Sequence, residues 1–485
     1  MRCAALATAA IDKGLRVRFA GRIESKELRS RLDDMEIDLM PLESPHPDPS
    51  DLTRTMGLLA DESGESPRTP WLVLDGYQFD EHYHKAVREA GYRLLVVDDF
   101  NHLNRYDCDV LLNQNIGADR LVYTTSDDTR KLLGPRFALV RSEFLTVRDK
   151  KRETPEKAKR ILVTMGGADP HNTTVKVLEG LTLLNDPELE VKVVVGPANP
   201  HLPEIEELVK KAPFTASVLS RVKDMASVMA WADLAATSSS VTSLELAYMG
   251  VPMAALVLAE NQEGLAAGLV ESGAAIELGS CDGLTPQRIS QAVSGLLVDR
   301  LGRQAMSDAG QALVDGRGAD RIMAVLGRDF LHLRKAEPED SRRLWEWAND
   351  PIARSNSFNT DPIPWEDHQV WFNERLNDQD SCIYLAELPG GESVGTIRFQ
   401  STTDHAVVSV TVDGDFRCLG FGAEVIRRGC LKYQRSHPDL PIRALIKPDN
   451  PASKLAFNKA GFKSDGEIEN DDERAMVMIY QADEL

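Results

Sequence analysis

The chain has 485 residues, 42% hydrophobic and 27% charged, a composition typical of a globular protein of about two to four domains. Its formal net charge of −20 argues against nucleic acid or an anionic membrane as the main partner, since both are polyanions. The six cysteines include no CxxC pair, which fits a reducing cytoplasm, and no apolar run has the length of a membrane-spanning helix.

The first residues have the pattern of a helix followed by a strand. Apolar residues recur with a helical period over residues 1–11, Gly14 ends the helix, and residues 15–20 alternate like a strand. A parallel sheet normally begins with a strand and a turn into the helix. This pattern therefore predicts that the sequence opens in the middle of a βαβ unit.

Two series of alternating strands and helices follow. The first contains the strand-like segments WLVLD (71–75) and LLVVDD (94–99), and the charged stretch 146–160 has the composition of a linker. The second series has nearly continuous apolar strands, as expected when helices cover both faces of a parallel sheet: ILVTM (161–165), EVKVVVG (190–196), DLAATSS (233–239) and PMAALVL (252–258). We predict two Rossmann-like domains, residues 1–145 and 158–327, an arrangement common for nucleotide-linked substrates.

After residue 330 the pattern changes. Antiparallel-looking strands appear with helices at their flanks: CIYLAEL (382–388), SVGTIRFQ (393–400) and HAVVSVTVD (405–413). This predicts a separate α+β domain over residues 331–485.

The last of these strands leads into a glycine-containing turn and a helix. The turn has the form R-x-x-G-x-G and comprises Arg417, Cys418, Leu419, Gly420, Phe421 and Gly422. Glycines let backbone N–H groups converge at a helix N-terminus, where the helix dipole favours a pyrophosphate. A tight strand–helix turn without a ligand has the same pattern. A second motif, IKPDNPAS (446–453), follows on the next strand end.

With both motifs in this order, residues 331–485 resemble the GNAT acetyltransferase superfamily. The resemblance implies acetyl-CoA as the acetyl donor, with its pyrophosphate on the amides of the turn and its pantetheine arm beside Asn450 and Ser453. It also implies that an amine attacks the thioester and that backbone donors from about Val410 to Val412 meet the oxyanion.

One position departs from that family. Many relatives have a tyrosine that protonates the leaving thiolate, whereas this chain has Phe457 there, which donates no proton. Another group protonates the thiolate, or it leaves unprotonated. The general base cannot be assigned: His405, Ser409 and Asp413 lie near the right strand but also fit ordinary strand positions.

The segment 344–372 resembles the acceptor side of relatives that acetylate nucleotide-linked amino sugars. Its four tryptophans are expected in the core of an amphipathic helical pair. For Asn349, Arg354 and His368 two interpretations stay open: contact with a sugar next to the cofactor groove, or a structural role.

The second Rossmann-like domain contains two loops that suit a phosphate. The first, MGGADP (165–170), follows a strand, and we expect Gly166, Gly167 and Asp169 to bind substrate while Asn172 or Thr173 caps the next helix. The second loop has mostly small residues. There we expect binding by Ser240, Thr242 and Glu245.

Glu245 has two interpretations. A carboxylate beside a small-residue loop can bind a ribose diol. A carboxylate in the first turn of a helix is also favoured by the helix dipole alone.

Residues 1–326 resemble GT-B-fold nucleotide-sugar enzymes, and more specifically the UDP-2,4-diacetamido-2,4,6-trideoxy-β-L-altropyranose hydrolases of pseudaminic acid synthesis. Seven segments occur in that family's order: LDGY (74–77), VDD (97–99), CDVLLNQN (108–115), LGPRFAL (133–139), MGGADP (165–170), ENQ (260–262) and LVDGRGA (313–319). The resemblance implies that the second domain holds UDP, that Asn261, Gln262 and Tyr77 face the sugar, and that water displaces UDP. It implies no metal.

That family begins with a strand and a G-x-G-H loop whose histidine is the expected base for water. This chain starts just past that position. Either the start site was assigned too late, or a truncated lobe binds a sugar nucleotide without hydrolysing it. The first explanation is favoured because loss of an inner strand exposes backbone groups and core surface.

The sequence therefore predicts a bifunctional enzyme that acetylates a UDP-linked amino-deoxysugar and hydrolytically releases UDP. One alternative is an acetyltransferase with a non-catalytic sugar-nucleotide-binding module. A second is a protein N-acetyltransferase. The oligomeric state and sugar stereochemistry are not readable.

Overall fold

A computed structural model of the protein describes residues 2–23, 26–42, 44, 46–48, 50–65, 69–147, 152–167, 169–196, 199–470 and 473–481. The chain forms two compact units, unit 1 (Met1–Ile322) and unit 2 (Met323–Leu485). Within the ranges just given, no helix has the length and apolarity needed to cross a lipid bilayer.

The first part of unit 1 contains two parallel sheets. The strands are β1 (Arg18–Gly21), β2 (Asp38–Pro41), β3 (Trp71–Asp75), β4 (Arg93–Val97), β5 (Val110–Asn113) and β6 (Arg130–Leu133). The helices are α1 (Arg2–Asp12), α2 (Lys26–Asp34), α3 (Asp51–Glu65), α4 (Glu81–Glu89) and α5 (Ser142–Leu145). Strands β1 and β2 form one pair, and β3 to β6 form a four-stranded sheet in chain order. The predicted strand at 15–20 begins only at Arg18.

The second part of unit 1 is a doubly wound sheet. Its strands are β7 (Arg160–Thr164), β8 (Glu190–Val195), β9 (Thr215–Ser220), β10 (Leu234–Ser238), β11 (Met253–Val257) and β12 (Ala275–Ser280). Its helices are α6 (Thr173–Thr182), α7 (Leu202–Lys211), α8 (Met225–Trp231), α9 (Val241–Tyr248), α10 (Glu263–Glu271), α11 (Pro286–Val298), α12 (Arg300–Leu313) and α13 (Gly318–Leu326). All pairings in the sheet are parallel.

Helices cover both faces of this sheet, as the apolar strands predict. Ile161 and Val163 of β7 belong to one buried cluster, whereas Leu162 between them belongs to another. The strand order is β12-β11-β10-β7-β8-β9, so the direction of winding reverses between β7 and β10. Ligands of open α/β sheets bind at the carboxyl ends of strands at such a reversal.

Unit 2 is built on a seven-stranded sheet in the order β13-β14-β15-β16-β17-β19-β18. The strands are β13 (His332–Lys335), β14 (Ser381–Glu387), β15 (Ser393–Ser401), β16 (Ala406–Val412), β17 (Ile442–Ile446), β18 (Phe462–Asn470) and β19 (Glu473–Tyr480). The helices are α14 (Ser341–Ala348), α15 (Pro351–Ser355), α16 (Trp365–Asn377), α17 (Phe421–Gln434) and α18 (Pro451–Lys459). The α+β pattern predicted for this region is thus confirmed.

Strands β16 and β17 separate part of the way along the sheet. They are the one parallel pair among the described strands of unit 2, and their register runs only from Ala406 opposite Ile442 to Val408 opposite Ala444. On its other side β16 stays paired with β15 as far as Val412. The edge of β16 from about Val410 onward therefore faces a gap, and no described strand pairs with the N–H groups of Val410 and Val412 on that edge.

Candidate functional site

Unit 1 contains a cavity of about 430 Å³ at the reversal of strand order. Three loops line the cavity, and each of them follows the carboxyl end of one strand: β7, β10 or β11. The lining residues are Arg141, Met165, Gly166, Gly167, Asp169, Pro170, Ser238, Ser240, Val241, Thr242, Glu245, Leu258, Ala259 and Gln262. Every substrate-binding residue predicted for this domain is therefore at the cavity. Their contact with a substrate stays a prediction.

The first loop is fixed by close packing and by a carboxylate. A Cβ atom at Gly196 would lie 2.2 Å from the carbonyl oxygen of Gly167, so β8 admits only glycine beside this loop. Asp169 is buried and accepts hydrogen bonds from the backbone N–H groups of Thr173 and Thr174 at 2.8 and 2.9 Å. Asn172 is the N-cap residue of α6, as expected, but its side chain makes no capping hydrogen bond, because the Asp169 carboxylate accepts from the first amides of the helix.

The second loop leaves the N-terminus of α9 open. Ser240 is the N-cap residue of this helix, and its side chain makes no capping hydrogen bond. The first N–H groups of a helix have no acceptor within the helix and carry a partial positive charge. Since Ser240, Val241 and Thr242 all line the cavity, α9 presents the better anion site of the two loops.

Glu245 is buried beneath this loop and pairs with Arg141. The Arg141 Nε and Nη2 donate to the two Glu245 oxygens at 2.6 and 2.9 Å. Burial disfavours the Arg141 cation, but the bonds to Glu245 outweigh this and raise its pKa. Glu245 lies in the second turn of α9, not the first, so the helix-dipole interpretation is wrong. A ribose diol there would share the carboxylate with Arg141.

The predicted residues Tyr77 and Asn261 meet in unit 1. The Asn261 Nδ2 lies 3.4 Å from the Tyr77 hydroxyl, which itself donates to Asp99 at 2.5 Å. Burial and this bond raise the pKa of Tyr77 to about 12. Asp99 also accepts hydrogen bonds from Arg2 at 2.7 Å and Asn115 at 3.0 Å. The hydroxyl proton of Tyr77 is thus donated to Asp99. The phenol oxygen remains an acceptor, and the Asn261 amide is the donor next to it.

The seven segments that carry the hydrolase resemblance form three groups in unit 1. Segments 74–77, 97–99, 108–115 and 260–262 supply the Tyr77 hydrogen bonds, and segment 165–170 lines the cavity. A Cβ at Gly318 would lie 2.3 Å from the carbonyl oxygen of Ala138, so segments 133–139 and 313–319 are also in contact. Ala168, and Met1 of the opening helix, lie outside the described residues.

In unit 2 the R-x-x-G-x-G turn has the features of a diphosphate site. Gly420 is the N-cap residue of α17 with φ +81°, a conformation that favours glycine, and no side chain caps the helix. A Cβ at Gly422 would lie 3.7 Å from Val412 and 3.6 Å from Ala456, so the first turn of α17 borders the gap beyond β16. The Arg417 guanidinium is held by Asp350 at 2.7 Å and by the Val412 carbonyl at 3.1 Å.

The other predicted cofactor residues lie at the adjacent helix. The Asn450 side chain accepts a hydrogen bond from the Ser453 N–H at 3.0 Å and so caps α18. Phe457 is buried, and its ring packs edge-on against Phe462 with centroids 4.9 Å apart. At this position the chain therefore offers apolar packing. Contact of these residues with a cofactor stays a prediction.

The structure favours a structural role for the three polar residues of segment 344–372. Asn349 donates to the carbonyls of Trp345 and Ile363 and accepts from the Ile363 N–H. The Arg354 guanidinium donates to carbonyls at Asn359 and Asp361. His368 is buried against Phe372 and its pKa is lowered by burial. These bonds stabilise the loop itself, so contact with a sugar stays a prediction.

Sequence reasoning missed Arg141 and Asp99 as site residues. Arg141 lies 104 residues from Glu245 along the chain, and its local sequence gives no sign of the pairing. Asp99 lies within the segment VDD (97–99), where a paired acid after a buried strand was the available signal. Among the residues that the structure describes, no three His, Cys, Asp or Glu side chains are grouped to hold a metal ion.

Comparison with known proteins identifies the C-terminal part. Residues 331–463 match the family model of the acetyltransferase (GNAT) domain. Among solved structures, AAC(6')-Ib in complex with paromomycin and acetyl-CoA is 19% identical, covers 31% of this chain and 93% of its own, and has a TM-score of 0.29.

Three curated relatives match mainly the preceding region. An uncharacterized protein of Methanocaldococcus jannaschii is 24% identical over 406 residues, 81% of each chain. The spore coat polysaccharide biosynthesis protein SpsG of Bacillus subtilis is 26% identical and covers 50% of this chain and 71% of its own. The UDP-N-acetylglucosamine–N-acetylmuramyl-(pentapeptide) pyrophosphoryl-undecaprenol N-acetylglucosamine transferase of Xanthomonas campestris pv. campestris is 31% identical over 45% of this chain, which spans about half of that relative's length (48%).

These findings confirm the coarse fold prediction. The structure is a mixed α/β fold, with Rossmann-type parallel sheets in unit 1 and an α+β sheet in unit 2. The chain thus carries a GNAT acetyltransferase domain near its C-terminus, preceded by a region that is related to GT-B glycosyltransferases.

Proposed function

We propose that the chain transfers an acetyl group from acetyl-CoA to the amine of a UDP-linked amino-deoxysugar, and that unit 1 releases UDP from the acetylated sugar by hydrolysis. The observation that carries this proposal is that each unit has an uncapped helix N-terminus at a glycine or serine turn. These are Ser240 before α9 and Gly420 before α17. Both are suited to a diphosphate, one for UDP and one for coenzyme A.

In the acetyl-transfer step the neutral amine attacks the thioester carbon. The oxyanion that forms accepts hydrogen bonds from backbone N–H groups of β16 near Val410 and Val412, where that strand leaves β17. The carbon–sulfur bond then breaks, the coenzyme leaves as a thiolate, and the amine loses one proton to give the amide. Because Phe457 has no acidic proton, the thiolate takes its proton from solvent or from another group.

In unit 1 the uridine diphosphate would occupy the cavity at the carboxyl ends of β7 and β10. The amides of Val241 and Thr242 would contact the diphosphate, and Glu245 would accept a hydrogen bond from the ribose. Tyr77 and Asn261 would face the sugar. Two relatives support this substrate class: one is named as an N-acetylglucosamine transferase that uses UDP-N-acetylglucosamine, and the other as a spore coat polysaccharide biosynthesis protein.

One observation favours a second candidate function, a binding module without hydrolysis. Both oxygens of Asp99 are engaged, by Arg2 and Asn115 on one side and Tyr77 on the other. A carboxylate with these partners is a poor base for water. In this alternative unit 1 holds the nucleotide sugar, and fusion to unit 2 raises the local concentration of the substrate.

The test offers three amines to the full chain with acetyl-CoA: a UDP-4-amino-4,6-dideoxyhexose, the same sugar without UDP, and a peptide with a free N-terminus. We expect release of the coenzyme thiol with the UDP-linked amine, followed by free UDP. Thiol release without UDP release supports the binding-module alternative. Turnover of the peptide with no response to the UDP-linked amine would overturn the proposal.

A further inference from the structure

The sheet of unit 2 has one face on which two arginines lie without an acidic partner. Ile397 of β15 packs against α17, since a Cβ at Gly429 would lie 2.5 Å from its side chain. Arg398 follows Ile397 and therefore points to the opposite face, where its guanidinium lies 5.1 Å from the ring centroid of Trp371 in α16. This face is the one away from the helix that carries the R-x-x-G-x-G turn.

Arg398 is half-buried and its charge is not neutralised. Its Nε and Nη2 donate to the Ser409 hydroxyl at 3.2 and 3.0 Å, and no carboxylate pairs with it within the described ranges. Burial lowers its pKa, and the nearby Arg375 adds to this effect. A half-buried guanidinium next to a second cation is unfavourable unless an anion completes the site.

Arg443 lies on the same face. Arg398 pairs with Ser409 across β15 and β16, and Val407, two residues away, pairs with Arg443 across β16 and β17. Directly paired residues share a face, and so do residues two apart on one strand. The Arg443 Nε is buried, and no described residue accepts its hydrogen bond.

Several other cations of unit 2 have acidic partners. Ion pairs join Lys447 to Glu473, Arg375 to Asp378, Arg417 to Asp350, and both Arg427 and Arg428 to Glu424. In a chain with a net charge of −20, half-buried Arg398 and Arg443 have no such partner among the described residues. Their charge suits an anion that comes from outside the chain.

The spacing of the two arginines matches a diphosphate. Their Cα atoms are two strands apart, roughly 10 Å, and offset by two residues, roughly 7 Å, so two long side chains can converge on one ligand. Guanidinium groups bind phosphate oxygens in bidentate fashion. Val410 and Thr411 come directly after Ser409 on β16, in the direction of the expected thioester. A nucleotide-linked sugar whose diphosphate is held by the arginines can therefore extend its amine toward that thioester.

We propose that Arg398 and Arg443 form an acceptor subsite in unit 2 that holds the diphosphate of the nucleotide-linked amino sugar. This inference rests on the proposed acetyl transfer and names how the acceptor is recognised. The subsite is separate from the coenzyme turn, because the two lie on opposite faces of the sheet. It gives unit 2 a preference for anionic acceptors over polyamines and peptide amines.

The experiment compares initial rates of the full chain on a UDP-4-amino-4,6-dideoxyhexose and on the same sugar without UDP. For Arg398→Gln and for Arg443→Gln we expect the KM for the UDP-linked acceptor to rise at least about tenfold, because each change removes a charge-assisted hydrogen bond. The KM for acetyl-CoA and the rate on the UDP-free sugar should stay within about twofold. Arg398→Lys and Arg443→Lys should recover part of the loss.

The matched control is Arg342→Gln, whose arginine pairs with Glu346 on the exposed surface of α14. It should leave both KM values unchanged. Equal losses on both acceptors, or no loss on the UDP-linked one, would overturn the subsite. A parent protein that ignores the UDP-linked amine contradicts the proposed function instead. Inorganic pyrophosphate provides a second measurement: it should compete with the acceptor in the parent and lose this competition in the glutamine variants.

Discussion

Two buried polar groups of unit 1 show how a partner changes the effect of burial on a single residue. Glu245 is buried, Arg141 is half-buried, and two short hydrogen bonds join them. His84 is 1% exposed, and neither of its ring nitrogens has a hydrogen-bond partner within the described ranges. Burial lowers the pKa of His84 to about 4. The Arg141–Glu245 pair keeps both of its charges inside the fold, whereas burial without a hydrogen-bond partner keeps His84 neutral.

The first prediction concerns pH and His84→Leu. An unfolded histidine binds a proton below about pH 6.5, but folded His84 does so only near pH 4, so the unfolded state binds more protons between these values. The free energy of unfolding should therefore fall as the pH drops from 6.5 to 4, by up to about 3 kcal/mol from this group. In His84→Leu that part of the fall should vanish, as measured by thermal melts across this pH range.

The control for this prediction is His82→Leu on the same helix, since His82 is exposed. Its melting temperature should follow the pH profile of the parent protein. A profile in His84→Leu that is as steep as that of the parent would show that His84 is not the group that titrates.

A second prediction at this scale concerns Arg141→Met. The substitution removes the Arg141 cation from the buried carboxylate of Glu245 and should lower the free energy of unfolding by about 3 kcal/mol. In Arg120→Met the lost pair with Glu271 is exposed, with side-chain exposures of 69% and 53%, and we expect at most about 1 kcal/mol. Chemical denaturation of both variants measures the difference. Equal effects would contradict the assigned role of the buried pair.

At the scale of elements, the loop after β7 depends on a close approach of two backbones. Gly196 leaves room for the Gly167 carbonyl, and the loop lines the cavity. In Gly196→Ala the new methyl group displaces this loop, so affinity for UDP should fall at least about tenfold while the far-ultraviolet circular dichroism is retained. Titration calorimetry with UDP measures the loss. Gly295→Ala, inside α11 with no atom within 4 Å of the added Cβ, should bind like the parent.

Most elements of both units follow from sequence pattern, because period and turn chemistry are local. The apolar run 161–165 and the alternation at 405–413 correspond to β7 and β16 within one residue. The side chain that accepts from the first amides of α6 could not be predicted from the sequence. It is Asp169, which lies in a left-handed conformation three residues before the expected cap. The partner of Glu245 did not follow either, because side chains 104 residues apart are joined only by the tertiary fold.

At the scale of the whole molecule, both units contain candidate nucleotide sites: the cavity of unit 1, and the coenzyme turn with the proposed acceptor subsite in unit 2. The relative from Methanocaldococcus jannaschii matches 81% of this chain, and since unit 1 ends at Ile322, that match extends into unit 2.

The prediction at this scale is that the two sites bind independently. Gly420→Val forces a β-branched residue into φ +81° and should abolish coenzyme A binding while leaving UDP binding unchanged. Gly196→Ala should instead weaken UDP binding at the cavity of unit 1 by at least about tenfold and leave coenzyme A binding unchanged. Calorimetry with each nucleotide on the full chain tests this, and loss of both affinities in either variant would contradict two separate sites.

The central claim is that one chain acetylates a nucleotide-linked amino sugar. Its most direct test is a mass-spectrometric time course of the full chain with acetyl-CoA and a UDP-4-amino-4,6-dideoxyhexose. We predict that the UDP-sugar gains one acetyl group and that free UDP appears afterwards. A UDP-sugar that stays unmodified while the acetyl-CoA is consumed on peptide amines would contradict the claim.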